Sequence, residues 1–394
     1  MKVLIVHNAY QQPGGEDVVF DQERRMLERE GHEVAIYHRT NDEIKEYSAF
    51  RQLALIPKTV WDPNSRREFA ALLAKERPDL VHVHNTFVMI SPSIFSACEE
   101  AGIPVVHTLH NYRLLCPGAT FYRDGRVCEE CVAHTLWRSI GHGCYRDSRA
   151  VTATVAMMVS VHRGLKTWRA PSHYYIALSE FARRKFVEGG LPSEKIFVKP
   201  NFVYPDPGAS MTKENYAVFV GRLSPEKRVG TLLAAWQRLG SQFQLVIIGG
   251  GPERIALEAF AQRRQLSGVR FLGHLDRPEV IGVVRKARFL VFCSEWYENF
   301  PVTIAEAFAC GTPVVGSRLG AMQEIVRDGV TGLHFKAGDP NDLADKVEWA
   351  WTHPEELAAM GMEARHQYEA NYTADRNYSQ LMDIYNRVLA VRPS

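Results

Sequence analysis

The chain has 394 residues, 46% of them hydrophobic, with 47 Lys and Arg against 45 Asp and Glu and a formal charge of +2. That length predicts two or three domains with room for a sizeable core, and it excludes a peptide or a single small module. The even charge balance excludes a disordered chain and gives no support to nucleic acid as a partner.

Met1 to His7 (MKVLIVH) holds four consecutive apolar residues, too few for the core of a signal peptide. The longest apolar run, Val151 to Val161, reaches about half of the roughly 20 residues a bilayer span requires. With seven cysteines and no export signal, a reducing compartment is expected, hence the cytoplasm.

Short β-branched runs recur at Lys2 to Val6, Glu33 to Tyr37, Leu80 to His84, Pro104 to Leu109, Tyr174 to Leu178 and Lys195 to Lys199, each followed by a helix-like stretch. The pattern restarts at Ala217 to Val220, Gln244 to Ile248, Val269 to Leu272, Phe289 to Cys293, Pro313 to Gly316 and Gly332 to Phe335. Such alternation predicts α/β architecture: two doubly wound, Rossmann-like domains with parallel sheets covered on both faces. Ligands of these sheets bind outside the carboxyl ends of the strands, so two such domains facing each other are expected to form a cleft. The Pro-rich stretch Lys199 to Glu214 has linker composition. It divides a first domain, 1–204, from a second domain, 205–374, and leaves 375–394 as a terminal helix with an apolar stripe at Tyr378, Leu381, Met382, Tyr385, Val388 and Leu389.

The first strand runs into HNAYQQPGGE, where Gly14 and Gly15 open a helix and allow close approach of a ligand to the backbone. A plain surface turn competes with that reading. At the end of the strand Pro104 to Leu109, His107 and His110 are candidate site histidines, whereas His82 and His84 alternate with Val81 and Val83, and one or both are expected to be satisfied interior groups. An insertion at about 113–150 carries Cys116, Cys128, Cys131 and Cys144, spaced Cys-x11-Cys-x2-Cys-x12-Cys. Four thiolates with one close pair suit a tetrahedral structural zinc, with four free thiols as the alternative. Between Arg138 and Arg169, basic residues interleave with Val155, Met157, Met158, Val159 and Leu165. That mixture suits peripheral docking on anionic lipid at the inner face of a membrane, or equally a plain helical surface beside the core.

In the second domain the first strand ends in Gly221-Arg222-Leu223-Ser224-Pro225-Glu226-Lys227. A planar fork at Arg222 and a point charge at Lys227 could together hold two adjacent phosphates, and Ser224 with Pro225 reads as a helix start. From Glu298 to Pro313, Pro301 marks the beginning and Gly311 the end of a helix of about ten residues. The amides of Phe300, Val302 and Thr303 would then open toward a ligand at the sheet edge. Glu298 precedes this helix. Glu306 lies within it among apolar neighbours, where a ribose diol would supply the donors a carboxylate needs.

Together, the GRLSPEK segment and Glu298-x7-Glu306 resemble the retaining glycosyltransferases of family 4, which have the GT-B architecture. The resemblance covers essentially the whole chain. It implies that Arg222 and Lys227 grip the donor diphosphate, that Glu306 binds the ribose, and that Glu298 lies beside the transferred sugar. Asn299, Phe300, Pro301 and Val302 would meet sugar hydroxyls and the distal phosphate. Gly14 and Gly15 would serve the donor phosphate and acceptor region. Gly249, Gly250 and Gly251, with Gly273, His274 and Leu275, would line the base, and His110 rather than His107 would face the sugar. The terminal helix would cross back onto the first domain. The donor would be a UDP- or GDP-sugar and the acceptor a glycan or lipid-linked hydroxyl, in cell-surface polysaccharide or glycolipid assembly. No Asp-x-Asp pair occurs, so no catalytic metal is expected. Three alternatives fit less well. A nicotinamide-linked dehydrogenase needs a third glycine where Arg254 stands. A glycoside hydrolase has no use for a diphosphate grip. A nucleotide-sugar or carbohydrate-binding protein without turnover could use the same cations.

Overall fold

A computed structural model gives the structure of residues 1–11, 14–210 and 212–391. Gln12 and Pro13 of the glycine-rich loop, Met211 of the expected linker and the last three residues lie outside that description.

The chain divides into two compact units. One comprises Met1–Phe121, Cys128–Pro200 and the residues from Asn377 onward; the other comprises Tyr122–Val127 and Asn201–Arg376. The first unit holds β1 (Lys2–Ala9), β2 (Glu33–Thr40), β3 (Leu80–Val83) and β4 (Val105–Leu109). After the small hairpin β5 (Tyr122–Arg123) and β6 (Arg126–Val127), which belongs to the second unit, come β7 (His173–Ala177) and β8 (Ile196–Val198). The six strands of the first unit form one parallel sheet in the order β2-β1-β3-β4-β7-β8. Every residue of β3, β4 and β7 is buried, as befits a sheet with helices on both faces.

The second unit repeats this plan with β9 (Ala217–Val220), β10 (Leu245–Ile248), β11 (Val269–Gly273), β12 (Phe289–Phe292), β13 (Val314–Ser317) and β14 (Gly332–Phe335). Its parallel order is β11-β10-β9-β12-β13-β14. The core packs Leu232, Leu233 and Trp236 of the helix Val229–Leu239 with Phe289 and Val291 of β12 and Leu343 and Val347 of the helix Pro340–Thr352. The indole of Trp236 stays satisfied by donating to the Phe243 carbonyl at 2.9 Å.

In each sheet the chain builds outward on one side of its first strand and then jumps to the other. The crevice at that reversal is where a doubly wound sheet binds its ligand. It lies between β1 and β3 in the first sheet and between β9 and β12 in the second. The pairing of β9 with β12 covers only Ala217 with Phe289 and Val218 with Leu290. The last two residues of each strand are unpaired with each other, so the loops that follow have room between them.

The terminal helix Ala374–Ala390 buries Leu381, Ile384, Tyr385 and Val388. From Asn377 onward it belongs to the first unit, where Tyr378 bonds His32 at 2.9 Å and Tyr385 bonds His82 at 2.6 Å. The expected linker differs from its composition at its start, because Lys199, Asn201, Phe202 and Val203 are all buried. No described helix is long and apolar enough to cross a membrane.

Candidate functional site

At the second sheet's crevice the loop after β9 meets the loop after β12. Ser224, Pro225 and Lys227 form a short turn, with Ser224 at its start and Arg228 left-handed at its end, before the helix Val229–Leu239 begins. That turn carries the Lys227 ammonium to 2.5 Å from Oε1 of Glu298, 71 residues away in sequence. The same oxygen accepts from Ser294 Oγ at 2.8 Å and from Trp296 Nε1 at 2.6 Å. Glu298 is 6% exposed, so its charge is held by an ammonium and two dipoles in place of water. Arg222, on the same loop as Lys227, is exposed and has no carboxylate partner among the described residues.

The helix expected from Pro301 runs from Val302 to Ala309, with Pro301 as its cap and Gly311 left-handed just past its end. The Val302 and Thr303 amides fall in its first turn, where no intrahelical acceptor exists. The Phe300 side chain is occupied within the protein. Its ring packs edge-on against Tyr372 at 5.2 Å, and its carbonyl accepts from Asn201. Only its amide remains for a ligand. Asn299 is buried beside it.

Glu306 is buried, and burial raises its carboxyl above the usual range, with Arg277 opposing that rise. The Arg277 Nε lies 2.9 Å from Glu306 Oε1, so the acid already has one donor. Sequence reasoning missed Arg277, which stands at the start of the helix Arg277–Lys286. It also missed Ser294, Trp296, and the pair of Glu295 with Arg228 at 2.9 Å. The glycines after β10 have a steric reason. At Gly249 (φ +136) an added Cβ would lie 1.9 Å from the Gly221 carbonyl oxygen, and at Gly251 (φ +155) 2.3 Å from that of Leu223. Gly250 faces open space. This turn therefore braces the Arg222 loop from below, with the Leu223 amide donating to the Gly250 carbonyl at 2.8 Å. His274 is exposed and Leu275 half-buried on the neighbouring turn.

In the first unit, Gly14 caps the helix Gly15–Arg29. Its amide donates to Asp17, whose other oxygen lies 2.8 Å from Nε2 of the buried His7. Neither Gly14 nor Gly15 is forced by crowding. Glu16 meets the Asn85 amide at 3.1 Å, and burial, with Asp17 adding to it, pushes its carboxyl up to about 8. His110 is half-buried and its Nε2 lies 3.0 Å from Nδ1 of His84. His107 is buried between Phe95 and His173, which suits an interior group. His82 is satisfied as expected, by Thr108 at 2.8 Å and by Tyr385.

None of the four insertion cysteines is in a disulfide, and they lie in one neighbourhood. Burial pushes Cys131 up to about 12, with contributions from Cys116, Cys144 and Cys128. They are not gathered as a ligand set: among the described residues, the only group of three or more ligating side chains within 4.8 Å of one another is Glu23, His82 and His84. The basic and apolar stretch forms the helix Arg149–Gly164, which buries Val155, Met158 and Val159 and exposes Met157. Leu165, just past its end, is also exposed, and Arg163 is turned inward to donate to the Leu114 carbonyl at 2.8 Å.

Comparison with known proteins matches residues 13–206 to the family described as Glycosyltransferase Family 4 and residues 204–367 to that described as Glycosyl transferases group 1. The phosphatidyl-myo-inositol mannosyltransferase of Mycobacterium leprae is 32% identical over 258 residues, covering 60% of this chain and 65% of that protein. The N-acetyl-alpha-D-glucosaminyl L-malate synthase of Bacillus anthracis is 22% identical over 99% of this chain and 98% of its own length. For several curated relatives, the matched part is between 37% and 65% of the relative's length. The structure of Anabaena HepE in complex with UDP-glucose superimposes with a TM-score of 0.70 at 18% identity, covering 98% of this chain and all of that one, a likeness of fold.

Proposed function

Because this chain belongs to family 4 of the glycosyltransferases and has their GT-B fold, we propose that it moves a sugar from a UDP- or GDP-sugar to an acceptor hydroxyl with retention of anomeric configuration. The observation that carries the reading is the Lys227–Glu298 pair at the parted ends of β9 and β12, beside the exposed Arg222. A cation and a carboxylate held side by side suit a ligand that is anionic at one end and rich in hydroxyls at the other.

In the reaction the bond between the anomeric carbon and the diphosphate oxygen breaks, and the diphosphate leaves with the electron pair. The acceptor oxygen bonds to that carbon on the same face, and its proton passes to the departing phosphate oxygen. Arg222, Lys227 and the first-turn amides of Val302 and Thr303 would balance the charge that grows on the leaving group. Lys227 and the helix amides are held in place before reaction, so little reorganisation of these groups is needed as that charge develops. Glu298 would accept from a sugar hydroxyl, and Glu306, steadied by Arg277, from the ribose diol. His110 is assigned a contact with the transferred sugar. The acceptor would be a glycan or lipid-linked hydroxyl in bacterial surface polysaccharide or glycolipid assembly, handled in the cytoplasm or at the membrane's inner face. Catalysis would need no metal, and any zinc on Cys116, Cys128, Cys131 and Cys144 would be structural.

The test is a thermal-shift screen of UDP, GDP, ADP and their sugars. One nucleoside diphosphate is expected to stabilise the chain over the others, since a ligand at about a hundredfold its dissociation constant adds about 2.7 kcal/mol to the folded state. No shift with any nucleotide would reject the site. Transfer that survives EDTA, and a product of the donor's anomeric configuration by NMR, are the expected companions.

A further inference from the structure

Beneath His110 lies a line of buried groups that a sugar-binding surface does not require. Glu23, on the helix Gly15–Arg29, and Lys199, after β8, are both 0% exposed and their charged atoms are 2.5 Å apart. Asn377 of the terminal helix accepts from the same ammonium at 3.1 Å, its amide nitrogen being committed to the Pro200 carbonyl at 2.9 Å. With Oε1 of Glu23 on the ammonium, Oε2 faces Nε2 of His84 at 3.4 Å and Nδ1 of His82 at 3.8 Å. His82 is already engaged at both nitrogens, by Thr108 and Tyr385. Glu23 Oε2 and His84 Nε2 are each buried with no properly aligned hydrogen-bond partner, so each is the other's nearest complement.

The proton positions along this line follow from what each atom can do. A carboxylate paired with an ammonium only accepts, so the His84 nitrogen facing it carries the proton. Burial holds His84 well below the usual histidine range, so its ring is neutral and Nδ1 has a lone pair. That lone pair lies 3.0 Å from His110 Nε2, which must therefore be the donor. His110 is also held neutral by burial, which leaves its Nδ1 bare. The other titratable groups facing these two rings are His7 on β1, His82 on β3, His107 on β4 and Lys199. None of them places an acceptor on His84 Nδ1.

We infer that Glu23 and His84 are positioning residues that hold His110 in its Nε2–H tautomer, so that its Nδ1 accepts a hydrogen bond from a hydroxyl of the bound sugar and offers no proton to a phosphate. The hydroxyl half of this statement rests on the sugar contact proposed above; the tautomer half does not. The Glu23, His82 and His84 group could be read as a divalent-metal site, but the Lys199 ammonium on the same carboxylate and the Tyr385 hydroxyl on His82 already occupy it.

The test is a proton–nitrogen correlation spectrum of the full chain labelled in its histidine rings, with the His110 signals assigned by their loss in His110→Ala. The unaltered chain is expected to show His110 protonated at Nε2 alone, and His84→Leu to replace that single form with a mixture. The same variant is expected to lower kcat at least about tenfold while KM for the donor changes less than about twofold, as for other groups that orient a functional imidazole. Three results would overturn the inference: a proton on Nδ1 in the unaltered chain, an unchanged single tautomer in folded His84→Leu, or a stoichiometric divalent metal that drives the proton off His84 Nε2. If His84→Leu does not fold, the spectrum of the unaltered chain still decides. A correct tautomer with full activity in His110→Ala would sink the sugar contact and leave the relay standing.

Discussion

The two sheets share a plan and differ in what they put at the point of reversal. In the second, β9 and β12 part early and the gap is bordered by an ion pair, Lys227 with Glu298, beside an exposed Arg222 that has no carboxylate partner among the described residues. In the first, β1 and β3 stay joined beyond their register, the Asn8 amide donating to the Asn85 carbonyl at 3.0 Å, and the loops that follow present neutral imidazoles and asparagines. Its ion pair, Glu23 with Lys199, is fully buried beneath them. One scaffold thus sets cations at one point of reversal and neutral side chains at the other, and the proposed function assigns the charged end of the donor to the first and sugar hydroxyls to the second.

The strongest challenge to that contrast is Lys199→Met, which would strand the Glu23 carboxylate inside the first unit. The expected loss is about 3–5 kcal/mol in urea unfolding, and Lys199→Met with Glu23→Leu is expected to recover much of it. A single variant as stable as the parent would mean that the pair is not a charge pair. Next comes Gly251→Ala, where the added methyl meets the Leu223 carbonyl. About 1–3 kcal/mol of stability is expected to be lost, together with nucleotide affinity, because the loop carrying Arg222 must move. On the catalytic side, Arg222→Ala and Glu298→Gln are each expected to slow turnover at least about tenfold while the chain stays folded. Near-normal rates in both would remove the second crevice from the chemistry.

Glu16 is read as a slope with pH in place of a loss at one condition. Its folded carboxyl titrates at about 8, above the ordinary value of 4.5, so between those pH values the folded chain holds a proton that the unfolded chain has released. Stability attributable to this group is present below pH 4.5 and is lost as the pH rises toward 8. Glu16→Gln is expected to flatten that slope in unfolding measurements and to gain on the parent most at pH 8. Equal stability difference at pH 5 and pH 8 would show that the carboxyl is not held protonated.

The inner strands of both sheets were legible because a strand buried on both faces is a short apolar run, and that signal is local. Pro301 and Gly311 marked a helix by the same kind of local chemistry. Lys227 and Glu298 could be assigned to strand-end loops, yet their meeting depends on β12 lying beside β9, which strand spacing does not reveal. Arg277 against Glu306, Trp296 turned onto Glu298 and the line from Lys199 to His110 are partnerships set by packing, and each residue alone looked like a surface charge or an interior ring. The Pro-rich composition after Lys199 concealed a buried ammonium for the same reason.

Asn377 and Tyr385 complete the first unit from the far end of the chain. During synthesis on the ribosome, the amide that shares the Lys199 ammonium and the hydroxyl that closes on His82 emerge only after the whole second unit has been made. The first unit to be translated is therefore the last to be finished, and until then its buried charges wait with incomplete company.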